Sequence, residues 1–167
     1  MSQKQPLTSI DFDFGVGEII PATQEAHHGD RFDGQIRKTE KEGLTQFKST
    51  LSLDLDSKLQ NNQNFPSDGE VFVFIIQYFA SDKEYKRRDV DNMAKTILDV
   101  LKNRFYSDDS QVKTLLVGKK LEKRVPQNFA YVAIKRLDAS QDVDALKISG
   151  LERSVTMFQE LKNKKIL

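Results

Sequence analysis

Four aspartates lie near one another in a single stretch of the sequence, RRDVDNMAKTILDVLKNRFYSDDSQVK, which covers residues 87–113. Asp89 and Asp91 stand at the start of a helical pattern, and Asp108 and Asp109 follow its far end. Neighbouring carboxylates repel one another and are costly to remove from water. A protein therefore tolerates such a cluster either by spreading the side chains into solvent or by placing a cation among them.

An ordinary structural role would account for part of this pattern. The start of a helix favours negative charge, so Asp91 or Asn92 would cap the helix while Asp89 stays solvated. Asp91, Lys95 and Asp99 are four residues apart and form one polar stripe, in which a surface ion pair contributes about 0.5 kcal/mol or less. This interpretation leaves the second pair of aspartates unexplained.

A metal site would account for both pairs. If Asp109 returns to the start of the helix on a neighbouring strand, it joins Asp89 and Asp91, and three carboxylates converge. Oxygen ligands of this kind suit Mg²⁺ or Mn²⁺, which keep waters for a substrate phosphate. With Lys95 adjacent and basic residues around it, this arrangement fits metal-assisted hydrolysis of a phosphodiester.

Other classes of site that use paired aspartates fit less well. A calcium loop of the EF-hand type needs an Asx residue and then glycine where this chain has Met93 and Ala94. Phosphotransferases with a DxDxT motif need a threonine at position 93 and an apolar strand just before the motif. His27 and His28 are the only histidines and are adjacent in a polar stretch, so serine–histidine chemistry has no support.

Length and composition restrict the class of protein. A chain of 167 residues suits one domain with a core of its own. The absence of cysteine excludes disulfides and thiolate metal sites. No apolar run is long enough to cross a bilayer, and the start, MSQKQPLTS, does not resemble a signal peptide. We therefore expect an intracellular, cytoplasmic protein that does not associate with membranes.

The formal net charge of +1 hides an uneven distribution. Residues 83–136 contain 14 Lys and Arg against 7 Asp and Glu, and the remainder of the chain is acidic. Segregation of this kind favours a polyanionic partner, and the alternative is that any highly charged chain has uneven stretches. The candidate residues for binding such a partner form two patches: Lys86, Arg87 and Arg88, and then Lys119, Lys120, Lys123 and Arg124.

The first half of the chain carries three secondary-structure patterns. Apolar residues alternate with aspartates from Ile10 to Phe14, which predicts a strand with one buried face. Thr39 and Glu42 match a capping box and predict that a helix begins at Thr39. Residues 70–79, EVFVFIIQYF, are apolar at both parities and predict a central strand buried on both faces. The apolar face of the first helix would consist of Leu44, Phe47, Leu51 and Leu55.

The second half predicts a polar loop, a helix and two strands. The helix covers residues 91–103, and its inward positions are Met93, Ile97, Val100 and Leu101. The strands cover residues 111–117 and 129–134, and the basic turn KKLEKRVPQ would join them as a hairpin. These elements predict an α+β (α/β-like) fold, in which helices pack on a small β-sheet.

A change of character marks the tail of the chain. From Asp138 the sequence is acidic and similar to a linker, and an amphipathic helix follows. We expect one domain at residues 1–137 and a C-terminal extension at residues 138–167, which packs on its own domain or presents a surface to a partner. The apolar positions of this last helix are Leu151, Val155, Phe158 and Leu161.

The aspartate-rich stretch resembles the RusA family of Holliday junction resolvases, which are crossover junction endodeoxyribonucleases. The family core reads D-x-D-N-x-x-K-x-x-x-D-x-L, followed by an aromatic residue and D-D-x-Q-V, and the resemblance covers about residues 89–120. The matching positions are Asp89, Asp91, Asn92, Lys95, Asp99, Leu101, Tyr106, Asp108, Asp109, Gln111 and Val112.

The resemblance implies a role for each matching polar residue. Asp89, Asp91 and Asp109 would bind Mg²⁺, or Mn²⁺ in its place, and Lys95 would assist catalysis. Asn92, Asp99 and Asp108 would have supporting roles: Asp99 beside Lys95, and Asp108 behind the metal ligands or facing the substrate.

The resemblance also implies a small mixed sheet, a homodimer and symmetric cutting of four-way DNA junctions in recombination and repair. One departure concerns substrate choice, because residues 14–31 are acidic where family members are basic and rich in proline. Three alternatives therefore stay open: a nuclease for flaps or forks, a branched-DNA-binding protein that does not cut, and an adaptor that oligomerises through its C-terminal helix.

Overall fold

The structure is a computed structural model, and it describes residues 10–23 and 34–137. Four strands form one mixed sheet in the order β1-β4-β2-β3, and helices pack against it. The α+β class predicted above is thereby confirmed. The elements in chain order are β1 (Phe12–Val16), α1 (Gly34–Leu59), β2 (Val71–Phe79), α2 (Asp82–Arg87), α3 (Val90–Leu101), a 3₁₀ helix (Asp109–Gln111), β3 (Val112–Leu121) and β4 (Phe129–Arg136).

The strand β2 lies in the interior of the sheet, as its two apolar faces predict. It pairs parallel with β3 and antiparallel with β4, and β1 pairs antiparallel with the other side of β4. Val71, Val73, Ile75 and Phe79 are almost fully buried on the side of the sheet that faces the helices. Because β2 is hydrogen-bonded to a strand on each side and packs on both faces, its position is well constrained. The α2–α3 segment that follows it therefore starts from a fixed point.

Two helices cover that face of the sheet. The helix α1 contributes Phe47, Leu51 and Leu55 to the main core, and these are three of the four apolar positions predicted for it. The predicted inward positions of α3 are all buried: Met93, Ile97, Val100 and Leu101. Because α3 packs both on the sheet and beside α1, its polar stripe is left as the side that solvent and other molecules can reach.

The prediction that a helix begins at Thr39 is wrong. The helix α1 begins at Gly34, so Thr39 lies within it and cannot occupy an N-cap position. The residues before Thr39 include Gln35, Arg37 and Lys38, which are good helix formers. The helix therefore extends upstream of Thr39. Thr39 and Glu42 match a capping box in sequence but lie inside the helix.

The predicted hairpin between the last two strands is also wrong. In the sheet β2 lies between β3 and β4, so these two strands are not bonded to each other. The apolar faces of β2 need a partner on each side, and a β3–β4 hairpin would have left one edge of β2 unpaired. Lys119 and Lys120 consequently belong to β3, and the connection runs through residues 122–128.

The segment between β2 and α3 contains a short helix that the sequence analysis treated as a loop. This helix, α2, has six residues and no buried side chain, so it carries no apolar periodicity that could have predicted it. Among the described residues, no helix is long and apolar enough to span a membrane. His27, His28 and the predicted extension at residues 138–167 lie outside the described residues.

Candidate active site

Asp89 and Asp91 lie at the start of α3, at the end of the α2–α3 connection. Asp89 occupies the N-cap position, but its side chain makes no capping hydrogen bond. Asp91 lies in the first turn of the helix, and both residues are exposed. The expectation that Asp91 or Asn92 caps α3 is wrong, because the helix begins at Val90. The helix therefore holds two carboxylates near its positive end without using the Asp89 side chain as a cap.

Lys95 lies one turn beyond Asp91 on the same exposed side of α3. Asp99, one further turn along, pairs with Lys48 of α1, with 2.6 Å between Lys48 Nζ and Asp99 Oδ2. Because α1 packs beside α3, it brings Lys48 close enough to take this carboxylate. The structure thus gives Asp99 a partner other than Lys95. The surface ion pair between Lys95 and Asp99 that the polar stripe would allow gives way to this contact.

Thr96 connects α3 to the segment that follows β1. The Thr96 side chain is completely buried, and its hydroxyl donates to the Pro21 carbonyl at 2.6 Å. The Asn92 carbonyl, within the same helix, is a longer alternative acceptor at 3.3 Å. Sequence reasoning missed this role for Thr96. The available signal was a polar residue on the apolar face of an amphipathic helix, since such a residue needs a hydrogen-bond partner inside the protein.

Asp108 and Gln111 shape the turn that carries Asp109. The Asp108 carboxylate accepts from the Ser110 amide at 2.9 Å, and the Gln111 side chain accepts from the Asp108 amide at 2.9 Å, which together form a capping box. The bond from Ser110 holds the pKa of Asp108 below its usual value. Gln111 also donates to the carbonyls of Ser67 and Gly69. These contacts fix the backbone at Asp109.

The side chain of Asp109 is exposed and contacts a lysine at the other end of α3. Asp109 Oδ2 lies 3.1 Å from Nζ of Lys102, the residue that caps the C-terminus of α3. The hydrogen bond that the Lys102 ammonium donates to this carboxylate raises the pKa of Lys102 above its ordinary value. The cation beside the Asp109 carboxylate is therefore the Lys102 ammonium of the same chain.

The two pairs of aspartates lie at opposite ends of α3. The helix has 12 residues, which makes it about 18 Å long at 1.5 Å per residue. Oxygens that share one magnesium ion lie about 2 Å from it. Among the described residues, no group of three acidic or histidine side chains could hold a metal ion. One chain does not bring Asp109 to Asp89 and Asp91.

Basic residues from two distant segments surround the start of α3. Lys86 and Arg87 are exposed at the end of α2, and Arg88 follows, half-buried, with its guanidinium 3.7 Å from Glu84. The end of β3 reaches the same place, because the Lys119 ammonium donates to the carbonyls of Tyr85 and Arg88 at 2.8 Å each. Through Lys119, the second basic patch of the sequence thus contacts the backbone of the first.

The other basic residues of the second patch make weaker contacts. Lys123 Nζ lies 3.7 Å from Asp82, and Lys120 Nζ lies 3.9 Å from Glu122. Arg124 is almost fully exposed and bonds to both carboxylate oxygens of Glu122, which lowers the pKa of Glu122 to about 2. The longer pairs of Lys120 and Lys123 are cheap to open, so these two cations are available to a polyanion, while Arg124 is held by two bonds to Glu122.

The exposed aspartates and the basic residues around them are suited to binding and reacting with the phosphates of a nucleic acid. The profile of the family described as Endodeoxyribonuclease RusA matches residues 19–134, well over half of the chain. The chain therefore belongs to the RusA family of endodeoxyribonucleases, as the resemblance of residues 89–120 predicted. No curated protein matches it.

Proposed function

We propose that this protein is a Mg²⁺-dependent endonuclease that resolves four-way DNA junctions in recombination and repair, and that it acts as a homodimer. Membership of the RusA family supports cleavage of DNA. The observation that carries the finer proposal is the pair of exposed carboxylates, Asp89 and Asp91, among basic residues at the start of α3.

The residues at the start of α3 fit a magnesium ion, and Mn²⁺ would serve in its place. Asp89 and Asp91 offer hard oxygen ligands, and the Asp89 carboxylate is free of any capping hydrogen bond. When bound, the ion would supply Lewis-acid activation of the scissile phosphate and of the attacking water. The two carboxylates would also orient the phosphate through the ion that they share.

Lys95 would place a positive charge beside the scissile phosphate. Its side chain is exposed on the same side of α3 as Asp91, four residues earlier. Hydrolysis of a phosphodiester builds negative charge on the phosphate oxygens in the transition state. A fixed ammonium close to these oxygens stabilises that charge without being a metal ligand.

The third ligand, Asp109, would reach the ion from the partner subunit. Within one chain it contacts Lys102, at the far end of α3 from Asp89. In a two-fold dimer every contact occurs twice, so two α3 helices that run antiparallel bring the Asp109 end of each chain to the Asp89 end of the other. A junction presents two equivalent phosphates, and such a dimer would present two equivalent sites.

The basic patches would hold the arms of the junction. Lys86 and Arg87 at the end of α2, and Lys120, Lys123 and Arg124 at or just after the end of β3, are exposed and would contact phosphates, which position the DNA without reading its sequence. Arg88 would add its charge to the same surface, although its side chain is mostly buried.

A comparison of substrates on one gel tests this proposal. The protein is incubated with synthetic four-way, flap and linear duplex DNA of the same sequence, with and without Mg²⁺. We expect paired cuts in the four-way junction only, and only with the metal. Preferential cutting of the flap would replace the junction by a flap as the substrate, and binding without any cutting would make the protein a junction-binding module.

A further inference from the structure

The inference concerns Lys119, one of the residues that the sequence assigns to DNA. Its position in β3 decides which way the side chain points. In the register of the sheet, Val117, Lys119 and Leu121 pair with Ile75, Gln77 and Phe79, whose side chains lie on the face covered by helices. Lys119 is therefore on the inner side of the sheet, and its neighbour Lys120 is on the outer side, above the ring of Tyr78.

The ammonium of Lys119 closes the C-terminal end of α2. It donates to the carbonyls of Tyr85 and Arg88 at 2.8 Å each, and it lies 4.6 Å from the centre of the Tyr85 ring. Carbonyls at the end of a helix have no partner within it and carry partial negative charge. A lysine from the sheet supplies both the donors and the positive charge at this point.

The Arg88 carbonyl belongs to the peptide group that joins Arg88 to Asp89. Holding this carbonyl fixes the orientation of the backbone at the N-cap of α3, and α3 begins with the bond from the Met93 amide to the Asp89 carbonyl. The Asp89 side chain has no capping bond that could hold it. The connection between α2 and α3 is thus oriented from the sheet, through Lys119.

We propose that Lys119 is a positioning residue for the metal-binding aspartates and not a DNA contact. By clamping the two carbonyls, it sets the direction in which Asp89 and Asp91 leave the start of α3. This inference rests on the proposed function, because it requires that these two aspartates bind the metal. Partners that orient metal ligands without touching the metal commonly change its affinity by about 10- to 100-fold when they are removed.

The test compares Lys119→Met with Lys120→Met in the full-length protein. Both changes remove one positive charge at neighbouring positions of β3 and keep an unbranched side chain that is one atom shorter. Titration calorimetry of the DNA-free protein measures affinity for Mn²⁺, and a gel-shift assay without metal measures affinity for the four-way junction. We expect Lys119→Met to weaken Mn²⁺ binding by about 10-fold or more with junction binding nearly unchanged. Lys120→Met should weaken junction binding and leave Mn²⁺ affinity nearly unchanged.

Lys119→Arg keeps donors and charge at this position and should recover most of the metal affinity. If Lys119→Met does not fold, Lys119→Gln takes its place, since it keeps an amide donor and loses the charge, and reduced Mn²⁺ affinity is again expected. Wild-type Mn²⁺ affinity in a folded Lys119→Met or Lys119→Gln protein would overturn the inference. So would a loss of junction binding with normal metal affinity.

A separate result identifies failure of the proposed function. Asp89→Asn is titrated beside the wild type: if the wild type binds Mn²⁺ and Asp89→Asn does not, the metal site stands, and the Lys119 variants are judged against it. If the wild type binds no Mn²⁺, the metal-site proposal fails, and the positioning role of Lys119 fails with it.

Discussion

Asp89 and Asp91 differ from Asp99 of α3 and Asp109 of the 3₁₀ helix in what their carboxylates contact. Asp99 is held by Lys48, Asp109 by Lys102, and neither of the two at the helix start has an ion pair within the described residues. Clustered carboxylates without a cation repel each other. At the scale of single residues, this difference separates Asp89 and Asp91 from Asp99, whose carboxylate is already held by Lys48. As a proposed ligand, Asp109 would exchange Lys102 for the ion.

Replacing any of the three proposed ligands by asparagine should abolish cutting and leave junction binding intact or tighter. Asp89→Asn, Asp91→Asn and Asp109→Asn each remove a ligand, and they also remove a negative charge that repels DNA. Cleavage gels and gel shifts without metal measure the two effects separately. Loss of junction binding by a folded Asp109→Asn protein would contradict its assignment as a metal ligand.

Lys95→Ala should slow cleavage strongly while the metal still binds. The change removes charge stabilisation in the transition state and no ligand, so kcat should fall by about 100-fold or more, as for other electrostatic groups of this kind. Single-turnover cleavage at saturating Mg²⁺ and junction measures it. Lys58→Ala is the matched control, because Lys58 is an exposed lysine of α1 paired with an aspartate four residues away. Equal rates for the two variants would reduce Lys95 to a surface residue.

The 3₁₀ helix shows how one short element positions a proposed metal ligand, Asp109. Gln111 accepts from the amides of Ser107 and Asp108 at 2.8 and 2.9 Å, and it donates to the carbonyls of Ser67 and Gly69 at 2.8 and 2.9 Å. Its side chain therefore joins the turn at Asp109 to the connection before β2. The D-D-x-Q pattern in the sequence is a structural unit around Asp109.

Gln111→Ala should lower the free energy of unfolding by about 2 kcal/mol, because it removes four hydrogen bonds that water replaces only in part. Urea denaturation measures this change. Cleavage should fall as well, since the backbone at Asp109 is no longer held. Gln60→Ala is the control, because Gln60 is exposed at the end of α1. Equal stability of the two variants would show that the turn holds its shape without Gln111.

The sequence predicted the elements whose pattern is set by burial. The core positions of α3 and the interior place of β2 follow from apolar spacing alone, and both are confirmed. The pairing of strands is different, because a chain can connect β3 to β4 by a short turn and still place β2 between them. The start of α1 was predicted wrongly because Thr39 and Glu42 match the sequence pattern of a capping box although they lie inside a longer helix.

The candidate site could be proposed from the sequence as a set of residue types, but its arrangement could not. Motif spacing identified Asp89, Asp91 and Asp109, but it could not show that α3 separates the last of these from the other two. Nor could it show that the ammonium of Lys119 turns inward to backbone carbonyls while Lys120 faces outward. Both facts depend on the register of β3 against β2, which involves residues distant in sequence.

At the scale of the whole molecule, the separation of the acidic pairs would give the proposed dimer a chemical role. Asp89 and Asp91 lie at one end of α3 and Asp109 at the other, about 18 Å away along the helix. If the three residues share one ion, two chains must combine to build each site. A monomer would then be inactive, and each dimer would cut at two equivalent positions, as the two-fold symmetry of a four-way junction requires.

Mixed dimers of two inactive variants test this account most directly. Asp89→Asn and Asp109→Asn chains with different affinity tags are produced together, and the mixed dimer is purified through both tags. It has one site with both changes and one site with neither. We predict Mg²⁺-dependent nicking of one strand of the junction, from that single intact site. A mixed dimer of Asp89→Asn and Asp91→Asn should stay inactive, because both of its sites lack a ligand. No recovered cleavage in the Asp89→Asn and Asp109→Asn dimer would contradict a metal site shared between two chains.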